Sequence, residues 1–498
     1  MSVVLIFCLV VVCAYFIQTK YRLYLIGRKL AGPWALPLVG NIQMMAKIKP
    51  EYLFVTITEY RRKYGEAYRL WLGTQLWVFL HTPEETRDAL NDSSLRRADT
   101  FYQLSVLIGN GLLLSHGKFW ESHRRALGPA FHPNILNSFT EVIDVHAETL
   151  VKKLKNAQNR TIEATEYLFP CIMDIIFDTS MGKQLRAQDD PDCVYTHAFH
   201  NASQLLFERM VNPMLGVDFI YRRTKSHGVL QNSLNTIHEL MDRVIQERAQ
   251  FLEQRVQHEA TDAAPTTAGA NQHQRRQRTL LDTLLTAQID GSSLSLHEIR
   301  DEVNTFVFAG VDTTTAAMSF ILYSLAKYPE TQEKLLQEIH DNRRGEESVS
   351  SRLEYLDMFI KECLRFYTIV PLTGRQTTND ATKIGRMRYC RGITLWINMY
   401  GLAHDEAFFE RPFEFRPERF SRAEQRRLPL PPFCFIPFSG GPHVCIGRKF
   451  ALLIMKILTV KILHHFEVKL SHPNEELVLM AQMVLKSLNG IQLIFKSR

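Results

Sequence analysis

One cysteine stands in a setting that suits chemistry. Cys445 lies in Phe438-Ser439-Gly440-Gly441-Pro442-His443-Val444-Cys445-Ile446-Gly447, directly before an apolar, helix-patterned run from Phe450 to Leu463. Gly441 and Gly447 are expected to permit a backbone that a Cβ would block. The start of a helix offers free N–H groups and a partial positive charge, which favour a thiolate over a thiol. A thiolate on such a turn, with nothing bulky beside it, suits a planar metallocofactor that comes very close. A lone cysteine before an apolar helix is more often a small buried hydrophobe, so the spacing of Phe438 and the glycines decides between the two readings. The other cysteines are Cys8, Cys13, Cys171, Cys193, Cys363, Cys390 and Cys434. They form no Cys-x-x-Cys pair and no zinc-ligand spacing, and so few in so long a chain do not suggest a disulfide scaffold.

A second cluster is Ala309-Gly310-Val311-Asp312-Thr313-Thr314-Thr315, inside a strongly helical pattern from Leu296 to Leu325. Gly310 and three successive threonines are poor helix formers, and threonine hydroxyls compete for backbone carbonyls. Ala309 and Thr313 share a face at i, i+4. Small residues there leave room over a flat ligand. The plainer alternative is a core helix whose threonines bond back to their own carbonyls.

Glu362 and Arg365 are three apart in a helical segment and face each other. On a surface such a pair is worth little. Phe359, Ile360, Leu364 and Phe366 around them argue for burial, where a pair needs further hydrogen bonds.

The elements that must position these residues are mostly helical. Strand-like runs surround Tyr68–Leu72 and Trp77–Leu80, and from about Pro83 the pattern turns helical. The stretch His258 to Arg278 is rich in Ala, Thr, Gln and Arg and reads as a mobile surface loop. The helical pattern resumes beyond it, so residues 51–498 read as one large, mainly α domain with a minor β region.

Ser2 to Thr19 carries no charge and as a helix would span roughly 27 Å. Lys20, Arg22, Arg28 and Lys29 follow it, and no acid appears before Glu51. Residues 1–20 therefore read as an uncleaved transmembrane anchor with the body on the cytosolic side. Residues 21–50 read as a basic hinge stiffened by Pro33 and Pro37. Asn91, Asn159 and Asn201 begin glycosylation sequons, so glycans on them would reverse this topology. The net charge of +7 suits an anionic membrane or an acidic partner. The basic residues are scattered and form no nucleic-acid module.

The pattern Phe-x-x-Gly-x-x-x-Cys-x-Gly, the Ala-Gly-x-Asp-Thr helix, Glu-x-x-Arg and Pro417-Glu418-Arg419-Phe420 occur in one order over nearly the whole chain. Together they resemble the cytochrome P450 monooxygenases of microsomal type. The resemblance implies the P450 fold and haem b (iron protoporphyrin IX), with Cys445 as the proximal iron ligand. Phe438 and Ala309 would stand against the haem. Asp312 and Thr313 would deliver the two protons consumed when one oxygen atom enters an apolar substrate and the other leaves as water. Trp120, Arg124, Arg375 and His443 match positions that hold the propionates, and Glu362, Arg365 and Arg419 would form a structural network. Electrons would come from NADPH-cytochrome P450 reductase, with cytochrome b5 as a second candidate partner, at the endoplasmic reticulum membrane. The substrate would be a lipophilic small molecule, such as a fatty acid, hormone or xenobiotic. Its pocket would draw on Phe101–Leu107, Phe308–Ala309, Ile369–Leu372 and Val484–Leu488.

Two residues depart from the family pattern. His443 replaces the usual arginine, and histidine is shorter and can be neutral. Gly111–Ser115, Pro129–His132 and Glu302–Phe306 resemble the fatty-acid ω-hydroxylase clan and its insect relatives. Many of those carry a haem-tethering glutamate where this chain has Ala309. An isomerase or dehydratase that needs no reductase, and a non-catalytic haem or lipid binder, are the rival functions.

Overall fold

The computed structural model describes residues 20–157, 159–212, 214–261, 279–289, 291–342 and 353–498. The proposed anchor at 1–19 and most of the proposed loop at 258–278 lie outside them. The first four residues of that loop are helical, because the long helix that precedes it continues to Thr261.

The elements that matter for the site, in chain order, are these. Strands β1 (Ala67–Leu72), β2 (Gln75–Leu80) and β3 (Arg96–Arg97) come first. Helices α1 (Gly117–Leu127) and α2 (Thr140–Asn156), strand β4 (Thr161–Glu163) and helix α3 (Ala164–Met181) follow. Then come α4 (Val194–Val211), α5 (Lys225–Thr261), α6 (Leu296–Lys327) and α7 (Glu354–Phe366). The chain ends with β5 (Leu372–Gln376), β6 (Thr394–Asn398), α8 (Arg448–His465), β7 (Phe466–Leu470), a hairpin of β8 (Leu479–Ala481) and β9 (Leu485–Ser487), and β10 (Gln492–Ser497).

Helix α6 is the axis of the helical body. Ser295 and Glu298 close a reciprocal capping box at its start, which satisfies two otherwise free N–H groups. Most of its side chains are buried against α3, α5, α7 and α8. It is apolar and long enough to cross a bilayer, but 72% of its most apolar window is buried in the protein. It is therefore a core helix. Gly310 lets α6 approach α3: a Cβ there would sit 3.0 Å from Ile176 Cδ1.

The sheet supplies the other wall. Its order is β1-β2-β6-β5-β3. β1 and β2 form a hairpin in which Tyr68 opposes Phe79. β6 joins β2 in parallel, from the far end of the chain, with Leu395 opposite Val78. β5 and β3 then add antiparallel, and their register sets Arg97 beside Arg375. Two of the five strands were legible in the alternation of residues 68–80. β5 and β6 were not, because both are buried on both faces and lack a period-two pattern.

Candidate active site

Gly441 has φ +66°, and a Cβ there would lie 2.3 Å from the Leu90 carbonyl oxygen, so only glycine fits. Gly447 does not share this constraint. Its φ of −81° is ordinary, and a Cβ would only touch Cys445 Sγ at 4.0 Å. Its small size keeps space free beside the sulfur. The Cys445 N–H donates to the Phe438 carbonyl (3.0 Å), which closes the turn that presents the side chain. α8 begins three residues later.

Six cysteines lie among the described residues, and Cys445 is the one with an accessible side chain. That accessible surface faces an internal cavity of about 890 Å³ rather than bulk water. Burial pushes its thiol up from the ordinary range. The backbone N–H groups of Gly447 and Arg448 and the Arg124 and Arg448 charges oppose this. The helix start thus favours the thiolate as expected, while burial opposes it.

The opposite wall is α6. Ala309, Gly310, Asp312, Thr313 and Thr314 all line the cavity. The Thr313 hydroxyl donates to the Ala309 carbonyl (2.7 Å), as the plainer sequence alternative held, and the helix runs unbroken. Its oxygen keeps acceptor capacity toward the cavity. Burial pushes the Asp312 carboxyl up, against the lowering influence of Lys486 and His200.

Cations gather at the Cys445 end. Arg375 is 2% exposed, and neither of its terminal guanidinium nitrogens has a partner. Burial, with Arg97 beside it, pulls its pKa well below the usual range. Such a group calls for an anion. Arg97 is half-buried, and desolvation brings its pKa down to about 10. It donates to the Leu113 carbonyl and the Thr373 hydroxyl, both at 3.1 Å. Arg124 donates to the Val444 carbonyl at 3.0 Å. His443 lies against Trp120, and burial among Arg375, Arg97 and Arg124 brings its pKa down to about 3. It is a neutral imidazole in a cationic neighbourhood. Nothing in the sequence singled out Arg97; only the cross-strand register reveals it.

Behind the loop, Glu362 and Arg365 are fully buried and joined by two hydrogen bonds of 2.8 and 2.9 Å. Arg419 donates to Glu362 at 3.0 Å, and the Arg416 N–H does so at 2.8 Å. The carbonyls of Ala403, Pro412, Glu410 and Glu414 take the remaining guanidinium protons. Glu362 pairs with both arginines and backbone carbonyls take their other donors, so the burial is tolerated.

The substrate wall differs from expectation within Phe101–Leu107, where residues 102, 103 and 105–107 do not line the cavity, and again at residues 485–488. Phe101, Leu104, Phe308 and Ile369 to Leu372 line the cavity, as do Ala481 to Val484 at the β8–β9 turn. Residues 485–488 do not. Leu485 is buried with its N–H bonded to the Ile369 carbonyl, and Leu488 is exposed. Ile42, Ile48, Trp77 and Trp396 extend the cavity into the sheet region, which sequence reasoning missed.

An accessible cysteine on a glycine turn, unpaired buried guanidinium nitrogens and an apolar cavity between them are what a haem with two propionates requires. The family model for cytochrome P450 matches residues 30–495. The chain belongs to the cytochrome P450 family. This P450 is 34% identical to Cytochrome P450 4d2 of Drosophila melanogaster, with 94% of each chain covered. It is 35% identical to Cytochrome P450 4V2 of Homo sapiens over 93% of this chain and 89% of the relative. It is 31% identical to Cytochrome P450 4d10 of Drosophila mettleri over 97% and 94%. The chain is therefore a P450 monooxygenase of lipophilic substrates whose cofactor is haem with a cysteine thiolate ligand.

Proposed function

We propose that this P450 is a membrane-anchored, microsomal monooxygenase that receives electrons from NADPH through a separate reductase, with cytochrome b5 as a second donor. Cys445 would hold the iron. Arg375, Arg97, Arg124 and the neutral His443 would hold the propionates, and Trp120, Phe438 and Ala309 would border the ring. Bound haem supplies O2 activation and insertion of one oxygen atom into the substrate. Asp312, kept readily protonated by burial, would hand protons to the Thr313 hydroxyl. Thr313 would present them at the cavity wall. Leu104, Phe308 and Val484 would hold an apolar substrate and exclude water. The observation that carries this reading is Cys445 as the accessible described cysteine opposite Asp312 and Thr313.

The test is the carbon monoxide difference spectrum of the reduced protein, followed by turnover with reductase. A red-shifted thiolate Soret band, lost in Cys445→Ala, and NADPH-dependent product are expected. The same band in the Cys445→Ala protein would sink the assignment. Turnover of a lipid hydroperoxide without NADPH would favour an isomerase or dehydratase.

A further inference from the structure

Two segments singled out in the sequence, Gly111–Ser115 and Glu302–Phe306, are packed against each other. The early turns of α6 hold the loop at residues 107–112 by its backbone. The Asn304 side-chain amide donates to the Leu107 carbonyl at 3.1 Å, and the Thr305 hydroxyl lies 3.4 Å from the Ile108 carbonyl. In return the Asn110 N–H donates to Asp301 at 2.9 Å and the Leu112 N–H to Glu302 Oε2 at 3.0 Å. Glycines make this approach possible. A Cβ on Gly109, whose φ is +52°, would collide with the Asp301 carboxyl, and one on Gly111 with the Thr305 hydroxyl. Glu302 has a further partner: its other oxygen, Oε1, lies 2.8 Å from His123 Nδ1 on α1. One fully buried carboxyl thus joins α6, α1 and the loop. Glu302 is not a wall residue, but Leu112 and Leu113 are, beside Thr305 and Phe306 of α6. The Leu113 carbonyl also receives Arg97.

We infer that Glu302 is a specificity-determining positioning residue, which sets the site of oxidation on the substrate through Leu112 and Leu113. The inference rests on the monooxygenase reading and adds a residue that reading does not use. An apolar chain in an apolar cavity has no hydrogen bonds to fix its register. The shape of the wall then selects which carbon reaches the reacting centre. Backbone contacts from Asp301, Glu302, Asn304 and Thr305 keep that wall in one place. Without the Glu302 carboxyl, the Leu112 N–H is a buried donor that must find another partner, and the loop shifts where it meets the wall. Several registers of the substrate then become equivalent, and oxidation spreads over neighbouring carbons.

The experiment compares the oxidised positions formed from dodecane, dodecanol and dodecanoic acid by the purified full-length holoenzyme with reductase and NADPH. Glu302→Ala should keep the thiolate band, while the share of the main positional product falls by about twofold or more. Glu302→Gln should restore the wild-type profile, because its carbonyl oxygen can accept the Leu112 N–H and its amide can face His123. A lower Tm with an unchanged profile in the alanine variant would make Glu302 a stabilising group only, and would overturn the inference. So would a glutamine variant as unselective as the alanine one. Where Glu302→Ala holds no haem, Leu112→Ala trims the wall and leaves the carboxyl in place; it should broaden the profile, and an unchanged profile there would also overturn the inference. No product from any of the three probes, in a wild-type protein with an intact thiolate band, would overturn the monooxygenase reading itself, and this inference with it.

Discussion

His443 rests against the Trp120 indole with ring centroids 3.9 Å apart and planes inclined by 33°. This contact joins the cysteine loop to α1, and it sets an uncharged ring where an arginine is usual in the family. Replacing it by arginine adds a positive charge near the metal, which favours the reduced state. His443→Arg should therefore raise the haem reduction potential by an amount on the order of tens of millivolts. Spectroelectrochemistry reads this directly.

Thr313 shares its proton with the Ala309 carbonyl. Thr313→Ala should leave haem binding intact and lower product formed per NADPH severalfold, with the missing electrons recovered as hydrogen peroxide. Thr313→Ser should restore most of the coupling, because the hydroxyl and not the methyl carries the role. Unchanged coupling in the alanine variant would remove Thr313 from the proton path.

Among the described residues, Glu362 is the one anion paired with Arg365 and Arg419. Glu362→Gln leaves two buried guanidinium groups without a counter-charge, at a cost of about 3–5 kcal/mol. The expected result is a lower Tm and a smaller haem-loaded fraction, measured as thiolate band per mole of protein. A fully loaded variant of normal Tm would show that hydrogen bonding alone holds the triad.

His81 and His404 are buried, and each has its pKa pulled down to about 3 by burial and by a nearby arginine. Their folded values lie below the unfolded one, so the unfolded chain takes up protons first on acidification. Their contribution to stability is complete above about pH 6.5 and is lost progressively as pH falls toward 3. Tm should drop with acidification across that window. His404→Gln should make the drop shallower, even if it lowers Tm at neutral pH by removing the contact with the Tyr400 carbonyl.

Ala309 lines the cavity with a methyl group where many relatives in the ω-hydroxylase clan carry a carboxylate. Haem should leave the chain on denaturing chromatography, and the protein should show its unmodified mass. Ala309→Glu should make part of the haem resist this extraction. Wild-type protein that retains haem under denaturing conditions would contradict the reading.

The long helix, the cysteine loop and the Glu362–Arg365 pair were legible because each rests on local spacing, whereas Arg419 joined the pair through the family resemblance. The observed span of α6 extends the predicted one by two residues, to Lys327. Arg97 was illegible for the opposite reason. Its place beside Arg375 follows from pairing between β3 and β5, strands remote in sequence. The cavity wall from Trp77 and Trp396 was missed in the same way, since β6 joins β2 from the other end of the chain. Gly447 was over-read: the sequence suggested a backbone need, and the structure shows only a space beside the sulfur.

The contact of Gly441 with the Leu90 carbonyl has a consequence for how the molecule is made. The loop that carries Cys445 is shaped against a helix near the beginning of the chain, Pro83–Asn91. During synthesis that helix emerges early and must wait for almost the whole polypeptide before its partner exists. Closing so distant a contact is slow. Cofactor capture is therefore among the last events of biogenesis, and a ribosome-bound chain that stops short of Cys445 has no thiolate with which to hold the haem.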